Sequence, residues 1–252
     1  MTEHIKIGKA EGILTLVMDR PDKKNALTNE MYGALADALE SSEHDPEVRV
    51  VLIRGEGEMF TAGNDVGEFA AGIDGPRHVT RFLRAIATMS KPLVAAVQGK
   101  AIGVGATMLL HCDHVVLAEN AMLITPFVNL ALVPEAASSL LLAARIGHVR
   151  AFSMFASGEP VGAQDALAWG LANKVVPLSE LAGTANQFAE RLAQQPLGAL
   201  IATKKLMRAT ATITDHMDAE SAQFAARLAS PEAQEAFAAF AQRRKPDFRK
   251  FA

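Results

Sequence analysis

The sequence predicts a mixed α/β core followed by a region built of helices alone. Up to about Val176, short β-branched and apolar runs alternate with longer amphipathic ones, the pattern of strands and helices taken in turn. From Glu180 onward only helical periodicity remains. A third observation lies in residues 91–113, KPLVAAVQGKAIGVGATMLLHCD, where Gly99, Gly103 and Gly105 separate a short apolar run from a longer one. That spacing predicts a buried strand over residues 93–97, a tight turn, and a buried helix through residues 106–111.

Near the N-terminus, residues 5–7 and 13–18 read as two strands joined at Glu11-Gly12. Arg20-Pro21-Asp22 ends the second strand, and a helix follows over residues 28–42 with Met31, Leu35 and Leu39 stacked on one face. A strand is expected at 48–54, then an irregular small-residue loop, Phe60-Thr61-Ala62-Gly63-Asn64-Asp65-Val66. Residues 76–89 form an amphipathic pattern: Val79, Phe82, Leu83, Ile86 and Met89 share a face, with Arg77, Arg81 and Arg84 off it. Beyond the glycine segment, strands are expected at 114–118 and 122–125, and a helix over 134–146 opening on Glu135. Helices at 149–157 and 163–170 precede a strand at 174–176. Four more helices are expected at 181–193, 198–210, 215–229 and 231–243, the last capped by Ser230.

With 252 residues, 50% hydrophobic and 21% charged, the chain has the composition of a globular protein. A net charge of −3 supplies no broad attraction to nucleic acid or to an anionic membrane. The one cysteine, Cys112, has no partner for an internal disulfide, so a reducing, cytoplasmic setting is expected. No apolar signal core opens the sequence, and no run is long enough to span a bilayer as a helix.

The glycine segment admits two readings. A helix opening at Gly103 to Gly105 points unpaired N–H groups into the space before it, which suits an anion. The same glycines also serve if they only let helix and strand pack closely.

Several separated motifs, in order, carry a family resemblance over most of the chain. Asn25-Ala26-Leu27, the loop Phe60 to Asp65, KPLVAAVQGKAIGVGA, the Cys112-Asp113 exit, and Ala163-Gln164-Asp165-Ala166 ahead of Gly170-Leu171 resemble the crotonase family of enoyl-CoA hydratases and isomerases. The resemblance implies an α/β crotonase-like spiral of repeated β-β-α units over residues 1–195 and a C-terminal helical trimerisation region over 196–252. It further implies a homotrimer or dimer of trimers acting on an acyl-CoA thioester. CoA is then part of the substrate, with no separate cofactor, no metal, and no membrane or nucleic-acid partner.

The family mechanism holds a thioester enolate with two backbone N–H groups, and preorganised donors of this kind contribute a few kcal/mol. Matched residue by residue, the donors fall at Asn64 and Val104; the family usually has glycine at the second position. The resemblance also assigns Lys24, Ala26, Ala62 and Asp65 to the CoA side, Phe127 with Val128 and Leu130 to the acyl pocket, and Phe240 and Arg243 to a neighbouring subunit's CoA. Lys24 has the alternative of being a solvated loop lysine.

The two glutamates of the family's hydratases align with Thr107 and Phe127, neither of which is a carboxylate. Leu132-Val133-Pro134-Glu135-Ala136-Ala137 instead resembles the proline-glutamate segment of the Δ3,Δ2-enoyl-CoA isomerases, which makes Glu135 the candidate base. Its apolar neighbours would raise its pKa toward the useful range. Moving a double bond needs one base, whereas hydration is given two glutamates, so the isomerase is the first expectation and a hydratase the second. Asp65 or Glu68 is open as an assisting carboxylate. A non-catalytic acyl-CoA-binding protein, or an RNA-binding one using the basic tail from Arg243 to Lys250, is the expectation of another class. Gly103-Val104-Gly105 is a weak dinucleotide fingerprint, since Met108 holds the third glycine's place. His111-Cys112-Asp113-His114 lacks a further ligand cluster and reads as helix-end packing.

Overall fold

The computed structural model describes residues 2–71 and 78–251, and of residues 69–71 the backbone only. Pro76 and Arg77, placed above in an amphipathic helix, lie outside the described residues.

The strands are β1 (Ile5–Ala10), β2 (Ile13–Met18), β3 (Val50–Gly55), β4 (Leu93–Val97), β5 (Lys100–Ile102), β6 (His114–Ala118), β7 (Met122–Ile124), β8 (Val161–Gly162) and β9 (Lys174–Val176). The helices up to the last strand are α1 (Asn29–His44), α2 (Val66–Ala71), α3 (His78–Thr88), α4 (Val104–Thr107), α5 (Ser138–Ile146), α6 (His148–Ser157) and α7 (Ala163–Ala168). After it come α8 (Leu178–Ala193), α9 (Leu197–Met207), α10 (Thr210–Leu228) and α11 (Pro231–Ala241).

Strand order in the large sheet is β1-β2-β3-β4-β6-β9, with β1 antiparallel to β2 and the remaining pairs parallel. A small sheet, β5-β7-β8, stands beside it. Each turn of the chain therefore makes a long strand, then a short stretch in a second layer, then a helix. The second layer is continued by isolated parallel bridges, Leu27 with Asn64 and Thr61 with Ala101, before β5 pairs with β7. This is a spiral of β-β-α units.

Because the central strands are parallel and covered on both faces, they read as nearly continuous apolar runs. Val50, Leu52, Val94, Ala96 and Val116 face Leu181, Ala185 and Ala189 of α8. The alternate residues, such as Val51, Ile53, Ala95 and Val97, enter the main core with Met31 and Leu35 of α1 and Phe82 and Ile86 of α3. α1 starts where Thr28 Oγ1 accepts the Met31 N–H at 3.2 Å, and α11 where Ser230 Oγ accepts that of Ala233 at 3.2 Å. The helical tail packs on the core, with Ile213 and Met217 of α10 and Ala233 of α11 buried in it.

Three expectations need correction. The helix expected from residue 134 begins only at Ser138, because Ala136 and Ala137 both take left-handed backbone (φ 64° and 54°). The helix expected through residue 111 is one α turn, α4, continued as a 3-10 helix, Met108–His111. β5 and β8, three and two residues long, are too short to show period-2 alternation and were absent from the sequence reading. Phe224, Leu228 and Phe237 pack partly buried against this chain's own core. Phe240 is exposed at 59%, as are Leu206 and Met207 on α9 at 89% and 83%.

Candidate active site

Two loops meet at the end of the small sheet. Asn25 fastens the first: fully buried, it donates from Nδ2 to the carbonyls of Glu56 and Met59, both at 2.8 Å, and accepts the Arg20 N–H at 2.8 Å on Oδ1. Its own carbonyl takes the Thr61 hydroxyl at 2.6 Å. Lys24, just before it, is in left-handed backbone and exposed, and its carbonyl accepts the Ala62 N–H at 2.9 Å, so Lys24, Ala26 and Ala62 form one rim.

Gly63 stands at φ 85°, and a Cβ there would lie 2.8 Å from the Ile102 carbonyl oxygen, so only glycine lets the loop come this close to β5. Gly105 meets a similar limit, since a Cβ would strike Thr61 Cγ2 at 2.4 Å. The Thr61–Ala101 bridge sets the register. Asn64 and Val104 each lie three residues beyond that bridge, and among the described residues neither N–H finds an acceptor. The glycines thus serve close packing and free donors together. α4 is a single turn, so the donors act as individual N–H groups rather than through a long helix dipole. The Val104 side chain is buried in the core.

Tyr32, the chain's only tyrosine, reaches across from α1 and donates its hydroxyl to Asn64 Oδ1 at 2.5 Å. Burial, and then the charge of Glu135, hold its pKa well above the usual value, so it stays a donor. The sequence reading missed Tyr32. The signal was there, because a tyrosine next to the apolar Met31 stripe needs a partner for its hydroxyl.

Glu135 occupies the second loop. Ala131, Ala136 and Ala137 all have positive φ, a costly conformation for alanine, and ties from elsewhere hold it. Arg208 Nη2 donates to His111 Nδ1, which leaves the Nε2 proton to bond the Ala136 carbonyl at 2.8 Å. Burial, then the Arg208 charge, bring the His111 pKa down to about 3, so the imidazole is neutral. Arg227 Nε donates to the Ala131 carbonyl at 3.2 Å. Glu135 Oε1 is shut off from solvent and has no hydrogen-bond partner among the described residues. Burial raises the Glu135 pKa to about 7, and the Glu220 charge adds to the effect. Such a carboxyl takes up a proton readily at neutral pH.

Several other candidates are committed elsewhere. Asp65 pairs with Arg20 Nη1 at 2.6 Å and accepts the Gly67 N–H at 3.0 Å. Burial raises its pKa, but the Arg20 bond and the N–H donors outweigh that and hold it low. Glu68 accepts the Asn29 N–H at 2.7 Å. Thr107 bonds the Val104 carbonyl, weakly at 3.4 Å, beside a cavity of about 10 Å³ that also touches Thr125 and Ser138. That space suits about one water. Phe127 is buried against Phe155, with ring centres 6.2 Å apart. Val128, by contrast, is exposed. The run from His111 to His114 is dispersed: Cys112 is buried, Asp113 pairs with Lys204 at 2.7 Å, and His114 stacks on Phe188. Among the described residues no group of three His, Cys, Asp or Glu could hold a metal, and no helix is long and apolar enough to cross a membrane. Arg244 and Lys250 of the basic tail are paired with Glu235, while Arg243 is exposed beyond α11.

A spiral of β-β-α units with two free N–H groups in register, and a buried carboxyl nearby, defines a class of enzymes that stabilise charge on a carbonyl oxygen while moving a proton. Residues 8–250 match the family model described as enoyl-CoA hydratase/isomerase, and the chain belongs to that family, the crotonases. It is 33% identical to 1,2-epoxyphenylacetyl-CoA isomerase of Escherichia coli (strain K12), over 98% of this chain and 99% of that protein. It is 32% identical to 2,3-dehydroadipyl-CoA hydratase of the same organism, over 96% and 97%. The crystal structure of an enoyl-CoA hydratase/isomerase from Pseudoalteromonas atlantica T6c superposes with a TM-score of 0.94 at 40% identity, covering 98% of this chain and all of that one.

Proposed function

We propose that this crotonase-family enzyme is a Δ3,Δ2-enoyl-CoA isomerase with Glu135 as its base. The observation that carries the reading is the unpartnered, buried Glu135 carboxyl, with threonine and phenylalanine at the two positions where hydratases of the family carry glutamate. Glu135 removes a proton from the carbon beside the thioester carbonyl. The electron pair passes into the carbonyl, giving a dienolate whose oxygen accepts hydrogen bonds from the N–H groups of Asn64 and Val104. The same carboxyl returns the proton two carbons along, so the double bond moves and nothing is gained or lost. Lys24, Ala26, Ala62 and the loop braced by Asp65 hold the CoA side, and Phe127 borders the acyl group. No cofactor beyond the substrate's CoA is required.

The named relatives do not decide between reactions, since one is an isomerase and one a hydratase at nearly equal identity. The hydratase reading is supported by that second relative and by the presence of another buried glutamate, Glu220. For assembly, the proposal is a homotrimer or dimer of trimers, with Phe240 and Arg243 reaching the CoA of the adjacent subunit. It is supported by the exposed Leu206, Met207 and Phe240 on the C-terminal helices. Light scattering at micromolar concentration checks it, and a monomer refutes it.

The test of the reaction is a panel of 2-enoyl and 3-enoyl thioesters with the parent and Glu135→Gln. The parent converts 3-enoyl-CoA faster than it hydrates 2-enoyl-CoA. The variant loses ~100-fold or more in turnover, the amount typical of a lost general base. Acyl-CoA affinity by calorimetry stays near the parent's. Near-normal turnover by Glu135→Gln on the best substrate rejects the reading.

A further inference from the structure

The mechanism above uses one carboxyl, yet a second lies buried near it. Ile213 and Met217 of α10 point into the core, and Glu220, seven residues beyond Ile213, continues the same stripe. A glutamate in such a stripe needs a reason to be there, since a buried charge is expensive unless bonded. Its reason is Ser139, in the first turn of α5 and four residues after Glu135. Glu220 Oε1 accepts the Ser139 N–H at 2.9 Å and the Ser139 hydroxyl at 2.5 Å. With its own proton given to Glu220, the Ser139 oxygen accepts from His216 Nε2 at 2.8 Å. Only half of the Glu220 carboxylate is used this way. Among the described residues its Oε2 is buried without a partner, as are Oε1 of Glu135 and the hydroxyl of Ser138.

We infer that Glu220 is a positioning residue for Glu135, anchored through Ser139 so that a fixed negative charge faces the base and no donor is left over to occupy it. This rests on the reading of Glu135 as the base. Two things follow from the geometry. The Ser139 bonds tie the start of α5, and with it the left-handed Ala136-Ala137 turn, to α10. The charge of Glu220 makes proton release from Glu135 less favourable, which strengthens it as a base near neutral pH. The charged and titratable groups around Glu135 support this assignment. From α10 come Glu220, His216 and Arg227, the last engaged with the Ala131 carbonyl and Glu232. From α1 comes Tyr32, a neutral phenol, and from the 3-10 helix comes neutral His111, with Arg208 bound to its far side. Glu220 is therefore the one acidic neighbour in this group with the sign needed to raise Glu135.

The experiment is the pH profile of kcat for 3-enoyl-CoA from about pH 5 to about pH 9, in the full chain, for the parent, Glu220→Gln, Glu220→Asp and Ser139→Ala. Glutamine removes the charge, so the acidic limb moves to lower pH by ~1 unit and the plateau falls, because a weaker base transfers protons more slowly. KM stays within about twofold, since no substrate contact is touched. Aspartate keeps the charge and restores the parental limb. Ser139→Ala removes a donor and the anchor from that charge, so its hold on the base weakens and the limb moves part of the way to lower pH. A merely structural role lowers the amount of folded enzyme without moving any limb. An unmoved limb in folded Glu220→Gln overturns the inference; if that variant does not fold, an unmoved limb in Ser139→Ala does. Failure of the base assignment is separate, because it appears as retained turnover in Glu135→Gln whatever Glu220 does.

Discussion

Two buried carboxylates in this molecule behave in opposite ways. Glu135 sits in a loop between the small sheet and α5, with an oxygen that none of the described residues bonds, and its pKa rises to about 7. Glu235 sits on α11 under the chain's own tail, in a more thinly packed place, and receives Arg244 Nη1 at 2.5 Å, Lys250 Nζ at 2.8 Å and the Asp247 N–H at 3.0 Å. The Arg244 bond, then Lys250 and the Asp247 N–H, hold its pKa far below the usual carboxylate value. Depth of packing and supply of donors therefore act together: Glu135 is desolvated and undonated, Glu235 thinly packed and richly donated. The C-terminal region spends its cations on closing the tail over α11, while the loop around Glu135 withholds them.

The largest test of that contrast is catalytic. Glu135→Gln loses ~100-fold or more in turnover, whereas Glu235→Gln keeps the parental kcat per folded molecule and lowers the melting temperature. In high salt the Glu235→Gln difference shrinks, because the ion pairs it breaks are screened. Equal activity losses in the two variants would erase the distinction.

A second effect concerns stability against pH. The folded pKa of Glu135 lies above the ordinary carboxylate value of 4.5, so the folded protein binds the extra proton between 4.5 and about 7 and loses stability as pH rises through that window. Glutamine removes this cost. Glu135→Gln melts with the parent at pH 4.5 and above it at about pH 8, a gain of the kind expected when a strained site is neutralised. For Glu235 the sign reverses: its stabilisation is present above the usual carboxylate pKa and fades as pH falls through its depressed folded value. Calorimetric melts across the range read both signs.

Smaller effects sharpen the picture at the N–H pair. Tyr32→Phe removes the bond to the Asn64 side chain and lowers kcat by ~10-fold or less, in line with one hydrogen bond of about 0.5–1.5 kcal/mol. Thr107→Ala, which gives up only a weak bond to the Val104 carbonyl, changes kcat by less than about threefold. A steep loss from Thr107→Ala measured on 2-enoyl-CoA hydration would move the chemistry away from Glu135.

Much of this was legible in the sequence because it is local. β4 is apolar on both faces, Thr28 and Ser230 are good caps, and Gly63 and Gly105 mark the close approach of two loops. Glu135 stood out beside Pro134 in an apolar run. What escaped depends on partners far along the chain. Alanine at 136 and 137 gives no hint of left-handed backbone, which the His111 and Ser139 bonds maintain. Tyr32 and Glu220 become site residues only when α1 and α10 dock. Glu220 was within reach of pattern reading, as the one acidic residue in the Ile213–Met217 stripe, but the helix expected over 215–229 began too late to include Ile213.

The braces on the Glu135 loop also fix an order of events during synthesis. Every strand of both sheets, with Asn64 and Val104, lies in the part of the chain complete by Val176. Arg208, His216, Glu220 and Arg227, which hold residues 111 and 131–139, emerge later. A nascent chain that has grown through α8 can pair its sheets and set the two N–H donors, yet of the ties on the three left-handed alanines it has His111 alone, without Arg208 behind it. The base is consequently the last part of the site to settle, and it does so only when α10 arrives. Loss of the final quarter of the chain is therefore a lesion of proton transfer before it is a lesion of the sheet.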